Sequence, residues 1–259
     1  MQQSSMEFPA VRPFSLSIRH VKMQEAAEQN VRQHHLHSEC EIYINLSGDV
    51  SFMVEEKIYP IRPGDAILTR PYEYHHCIYH SDAPHEHFWI LFSAEGNEAL
   101  FPLFFCRERG EGNRIVLPRE EQTRMFGHCR ALLAGEGGLL ARYQHFFALL
   151  SLLRTGTAAE EESAQVPEEL RRVLEYINVN YAGPIAVGAL AEMAFVSRNT
   201  LERRFQQYLG VSPYAYITEK RLTCSLHLLL RGASVAEACA RSGFSDCSQF
   251  IAKFRRKFG

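Results

Sequence analysis

The 259-residue sequence has no run of about 18 apolar residues, so no segment of it is expected to span a membrane. Its opening stretch, MQQSSMEFPAVRPF, lacks the apolar core of a secretory signal. Cysteine is sparse and unpatterned. There are seven, an odd number, and no two stand in C-x-x-C spacing. A secreted disulfide scaffold is therefore not expected, and a reducing, cytoplasmic setting is. A strong overall charge is also missing, since the net value is −2. That near-neutrality hides a split. Residues 168–259 hold 13 Lys+Arg against 8 Asp+Glu, a balance of +5, while the remainder balances at −7. A basic C-terminal part suits contact with phosphates. The rest of the composition, 46% hydrophobic and 22% charged, is ordinary for a globular chain long enough for two modest domains.

Residues 14–92 read as short strands. Glu41 to Leu46 and Val50 to Val54 are rich in β-branched and aromatic residues, with Ser47-Gly48-Asp49 as turn chemistry between them. Arg62-Pro63-Gly64-Asp65 and Arg70-Pro71-Tyr72-Glu73 are further turns, and His87 to Phe92 another strand. Such spacing predicts a barrel or sandwich. After Gly96 the period changes. Glu120 to Leu133 and Leu139 to Leu153 read as helices whose apolar stripe is wide for one face of a small domain. Part of it is expected to cover the barrel, and the surplus to bury a partner subunit. Residues 155–167, polar, small and acidic, read as a linker.

The helical remainder contains a weak repeat. Ile185 to Gly210 aligns with Ser234 to Gly259 at an offset of 49, with Ala191/Ala240, Phe195/Phe244, Phe205/Phe254 and Gly210/Gly259 identical. Each copy has a short helix, a turn and a capped second helix. In the first, Ser197 caps a helix whose Leu201 and Phe205 face inward. In the second, Ser245 or Asp246 caps a helix whose core face is Phe250 and Phe254. A long amphipathic helix, Pro213 to Leu230, connects them and would hold two reading helices at a fixed separation, suited to adjacent major-groove segments. The run Gly243-Phe244-Ser245-Asp246, Ser248, Phe250, Phe254, Arg255 and Gly259 resembles the signature of the AraC/XylS regulators. The resemblance covers residues 168–259. The family pattern continues past the final glycine with a Ser-Pro and an aromatic–Arg pair that have no counterpart after Gly259, so the last helix is expected to lack that cap. Within this frame, phosphate contacts are expected from Arg198, Arg204, Lys253, Arg255 and Arg256. Base edges fall to Asn199, Glu202 and Arg203 in the first copy and to Cys247, Ser248 and Gln249 in the second.

Eight of the twelve histidines lie between His34 and His87. His35, His37, Glu41 and Gly48 form H-x-H-x3-E-x6-G, which resembles the first cupin motif. A looser second motif runs from Gly64-Asp65 through Pro71 to His75-His76, with Glu73 where the family has glycine. On an extended strand His35, His37 and Glu41 share parity and point one way. With His75 or His76 they would complete a site for Zn, Fe, Ni or Mn, the metal candidates being His35, His37, Glu41 and His76. Alternatively these side chains, with Tyr43, Tyr72, Tyr74 and Trp89, line a metal-free pocket for a small molecule, such as a sugar.

The reading is an α+β protein. Residues 1–154 form a cupin-like β-barrel with a helical dimerisation segment, 155–167 a linker, and 168–259 an all-α domain of two helix-turn-helix units. The resemblance implies a regulator of transcription, not an enzyme. Its expected partners are double-stranded promoter DNA, a small-molecule effector, a second copy of the chain and RNA polymerase, with no resident cofactor unless the barrel holds a metal. Two rivals are a metal-dependent cupin isomerase or dioxygenase, and a helical interaction module with no DNA role.

Overall fold

The computed structural model describes residues 12, 14–24, 37–55, 57–158 and 167–258. The strands of the N-terminal half form two sheets. The first runs in the order β1 (Leu16–Met23), β7 (His85–Phe92), β2 (Cys40–Ser47), β5 (Ala66–Thr69), β8 (Arg114–Val116) and β9 (Thr157–Ala158), all antiparallel. The second is β4 (Lys57–Ile61), β3 (Val50–Val54) and β6 (His75–Tyr79). Strand β9 begins inside the stretch expected to be linker and pairs with β8.

Because side chains alternate along a strand, each sheet has two faces with separate tasks. On the first sheet, Ile42, Ile44, Phe88, Ile90 and Phe92 turn outward and are buried by α2 (Arg119–Ala134) and α3 (Gly138–Leu153), with Met125, Phe146 and Leu149 at the seam. Each fully buried side chain of this kind stabilises by about 1.5–3 kcal/mol. Phe101 and Phe104, at a short helix α1 (Pro102–Phe105), join the same layer against Phe92, Phe101 also meeting Phe146. Between the sheets Tyr43 and Ile67 meet Val50, Phe52, Tyr59, Cys77 and Tyr79. The outer face of the second sheet presents Met53, Ile58, Tyr74 and Ile78 to the C-terminal helices.

Those helices are α4 (Glu168–Asn180), α5 (Val187–Met193), α6 (Arg198–Leu209), α7 (Pro213–Leu230), α8 (Val235–Arg241) and α9 (Cys247–Phe258). Ser197 Oγ accepts from Thr200 N, Ser212 Oγ from Ala215 N, and Ser234 with Glu237 makes a capping box. Asp246 Oδ1 accepts from Ser248 N and Gln249 N, which decides the cap of α9 in favour of Asp246.

The repeat has two registers. Backbone bonds match at an offset of 48 through the first helix and the turn. Ala194 N donates to Leu190 O as Ser242 N does to Ala238 O, and Val196 N to Ala191 O as Phe244 N does to Cys239 O. Phe195 (φ 54) and Gly243 (φ 82) are the left-handed residues of the two turns. The offset becomes 49 only at the caps, Ser197 and Asp246. The second turn therefore holds one extra residue, and the Ala191/Ala240 and Phe195/Phe244 identities do not mark equivalent places. The small buried residue equivalent to Ala191 is Cys239, while Ala240 is exposed. Letter identity follows chain count, whereas a close helix crossing selects for burial.

Candidate nucleic-acid interface and ligand cavity

The second helices of both units present open, polar first turns. Asn199 and Arg203 on α6 are exposed, as are Cys247, Ser248 and Gln249 on α9. Their opposite faces are anchored by buried Leu201, Phe205 and Leu209 in one case and Phe250 in the other. Arg198 and Glu202 pair with each other, Nε to Oε1 at 3.0 Å across one turn. Arg255 and Arg256 are exposed, and Lys253 lies over the Tyr214 ring at 5.1 Å with its Nζ donating to Tyr214 Oη at 3.2 Å. Arg204 is placed differently from the rest. It turns toward α4 and pairs with Glu169. Tyr214, exposed in the first turn of α7, joins this surface through Lys253 and is not among the residues expected from the sequence.

The inner faces of the two sheets flank an open-sided cavity of about 240 Å³. Glu41, Tyr43 and Trp89 lie along it, together with Arg19, Phe52, Cys77, Tyr79 and His87, which the sequence reading passed over. Strand parity could have found them: Cys77 and Tyr79 follow His75 at steps of two, and Arg19 stands opposite Trp89 in the β1–β7 register. Arg19 lies over the Trp89 ring at 5.3 Å. Tyr43 Oη is 2.7 Å from His85 Nε2, whose Nδ1 donates to Ser47 O at 2.6 Å. Burial holds His85 below the usual histidine range, and burial with His85 beside it pushes His87 down to about 3.

At one end of the cavity Glu41 Oε2 stands 3.0 Å from His37 Nε2 and 3.2 Å from His75 Nε2. The donors of these three residues lie within 4.8 Å of one another. His37 Nδ1 donates to Glu39 O at 3.1 Å and His75 Nδ1 to Glu73 O at 2.7 Å. With both Nδ1 atoms spent on carbonyls, the two Nε2 atoms and the carboxylate converge where a proton or a metal cation would satisfy them. Burial opposes the charge on Glu41, but His75 and the His37 hydrogen bond outweigh it and hold its carboxyl well below the usual range. Burial likewise opposes charge on His75, but Glu41 outweighs it and raises the imidazole. His76 borders the cavity, yet its ring lies edge-on to Tyr74 at 5.7 Å and is not one of the converging donors. Strand β6 is offset by one from the metal candidate set, because His75 and not His76 has the inward parity. His35 lies outside the described residues. Tyr72 and Tyr74 face the C-terminal domain instead of the cavity, through His227 and Tyr216.

Glu73, in the glycine position of the second motif, is fully buried and is not among the residues that line the cavity. It accepts from Arg70 N, Gly110 N, Asn113 Nδ2 and both terminal nitrogens of Arg107. It braces the 107–113 loop against β5.

Residues 23–153 match the AraC-like ligand binding domain, and residues 190–259 match the Helix-turn-helix domain. The chain belongs to the AraC family. The HTH-type transcriptional activator RhaS of Escherichia coli O139:H28 (strain E24377A / ETEC) is 37% identical over 116 residues, 44% of this chain and 41% of that protein. The RhaS of Escherichia coli strain SE11 is 36% identical over the same length. The AraC-family chain thus spans about two-fifths of these relatives. Among solved structures, an AraC-type transcriptional regulator from Chromobacterium violaceum is 32% identical over 35% of this chain and 81% of its own, with a TM-score of 0.33. Wild-type ToxT from Vibrio cholerae strain SCE256 is 12% identical over 94% of this chain and 91% of its own, with a TM-score of 0.35.

Proposed function

We propose that this AraC-family chain is a ligand-responsive, sequence-specific activator of transcription, working at promoter DNA as a cytoplasmic homodimer in contact with RNA polymerase. The observation that carries the DNA reading is the pair of capped helices whose polar first turns stand open while their opposite faces are buried. The dimer reading is supported by Leu139 and Leu140, 68% and 72% exposed at the start of α3, with Leu133 exposed beside them. The effector is a small polar molecule seated against Trp89 and Tyr43, with Arg19, Glu41 and His87 for hydrogen bonds. A monosaccharide fits this mixture of aromatic face and polar rim.

Base reading is tested on the first unit. Arg203→Ala is expected to cost about 1–3 kcal/mol on the preferred site and to relax preference at one position, as loss of a bidentate guanine contact would. Arg255→Ala should weaken all sequences alike. Binding arrays in which both variants lose affinity uniformly would remove base reading from Arg203.

A second reading of the cavity, a divalent metal held by His37, Glu41 and His75, is favoured by the two Nδ1–carbonyl bonds that aim the Nε2 atoms at one point. Chain purified without chelator is then expected to carry one metal per chain, and His75→Ala to carry none. Metal-free protein that still binds effector would leave the polar pocket standing alone.

A further inference from the structure

Strands β3 and β6 serve two surfaces at once. Phe52, Val54, His75, Cys77 and Tyr79 face the space between the sheets. Met53 and Ile78, one residue out of step, join Ile58 and Tyr74 in a single buried cluster with Leu170, Phe205, Leu209 and Tyr216 of the DNA-binding domain. The Tyr74 and Tyr216 rings meet edge to face at 5.7 Å. One strand thickness therefore separates the cavity from the helices that carry the reading surface.

The rim of this contact is polar and strained. Glu55, at the tip of the β3–β4 hairpin, is 4% exposed and has φ 51. Such a turn position favours Asn or Gly, and the glutamate sits there against its backbone preference. Its Oε1 accepts from Tyr74 N at 3.1 Å and Arg109 Nε at 2.7 Å, and its Oε2 from Lys220 Nζ of α7 at 2.7 Å. Tyr72, with φ 59, offers its carbonyl to His227 Nε2 of α7 at 3.3 Å. Two of the three left-handed non-glycine residues among the described residues thus bond directly to α7. Asn199, Arg203, Ser248 and Gln249 stay exposed in this arrangement. Docking orients the reading helices relative to the barrel and does not cover them.

We propose that β3 and β6 relay the state of the cavity to the DNA-binding domain, and that the Glu55 carboxylate is the latch holding α7 to the barrel. The relay rests on the reading of the cavity as the effector site. A change in what the cavity holds displaces Cys77 or His75, and the same strand displacement moves Ile78 and Met53 within the cluster they share with the C-terminal helices, where Tyr74 meets Tyr216 of α7. When the latch is broken, an oriented reading domain becomes a tethered one.

The test is hydrogen exchange of the full-length chain, with no effector required. Glu55→Asn relieves the turn and removes the latch. Because Tyr74 N and Arg109 also lose their acceptor, the melting temperature should fall somewhat, while exchange across α7 residues 216–227 should rise by about tenfold or more, beyond any change in the barrel amides. Lys220→Gln should raise exchange in the same amides, and the double variant should add little to either single one. Cys77→Ala, which alters only the cavity side of β6, should raise α7 exchange in the wild-type background and not in Lys220→Gln. Unchanged α7 exchange in Glu55→Asn overturns the latch. A Cys77→Ala effect confined to the barrel, or equal in both backgrounds, overturns the relay. Binding of a random-sequence duplex, measured in parallel, separates the two readings. If the wild type fails to bind, the DNA reading falls and the docking result stands. If binding is retained with α7 exchange unmoved, the relay falls and the DNA reading stands.

Discussion

Glu73→Ala is expected to destabilise the N-terminal domain by about 3–5 kcal/mol, the range for removing one partner of a buried ion pair. The carboxylate has no exposed surface and accepts five hydrogen bonds, two of them from Arg107. Truncation removes the acceptor of Arg70 N and Gly110 N and takes the carboxylate from the Arg107 guanidinium, which keeps only backbone carbonyls, as the Asn113 amide does. If the unpaired charge is the main cost, Glu73→Ala combined with Arg107→Met should lose less than the two single variants together. The effect is also pH-dependent. Burial pushes the Glu73 carboxyl up, but its bonds to Arg107, Gly110 and Arg70 prevail and hold it below the usual value. A group whose pKa is lowered on folding contributes above its unfolded value of about 4.3 and loses that contribution as pH falls through the folded value. The gap between wild type and variant in urea melts should therefore be full at pH 7 and close in acid. A gap that is small at pH 7, or that grows in acid, would show that the brace contributes little.

The affinity of the full-length chain for duplex DNA should fall steeply with salt. Arg198, Arg203, Lys253, Arg255 and Arg256 stand at or near the open face, whereas Arg204 is engaged by Glu169. With about four to five phosphate contacts, log affinity should fall with log salt at a slope of about −4, roughly 200- to 300-fold between about 50 and 200 mM. Fluorescence anisotropy with a labelled duplex reads this directly. Arg255→Ala should reduce the slope by about one, and Arg204→Ala should leave it unchanged, because its partner is within the protein. A slope near zero would exclude the phosphate-contact surface. An equal drop in slope for Arg204→Ala would return that residue to the DNA face.

Local features of this protein were legible without coordinates. The connecting helix Pro213–Leu230 has the ends its sequence predicts, because Ser212 can cap and Pro213 fits the first turn but no later one. The strands around Gly48 and the two helices of each reading unit follow from alternation, turn chemistry and capping, all of which act within four residues. The H-x-H-x3-E run announced a polar cluster, and His37 and Glu41 do converge.

What the tertiary structure decided are the meetings between distant segments. Whether His75 or His76 joins Glu41 depends on the β3–β6 register, and a one-residue shift exchanges the faces of the whole strand. Glu73 fills a glycine position in the motif, yet its direction is set by Arg107, 34 residues away. Arg204 looks like its neighbours in sequence and differs only because α4 brings Glu169 beside it. The docking of α7 on Glu55 spans 165 residues. Periodicity along a chain records which side of an element is buried. It carries no record of what buries it, because that contact is made by residues chosen through the path of the backbone in space.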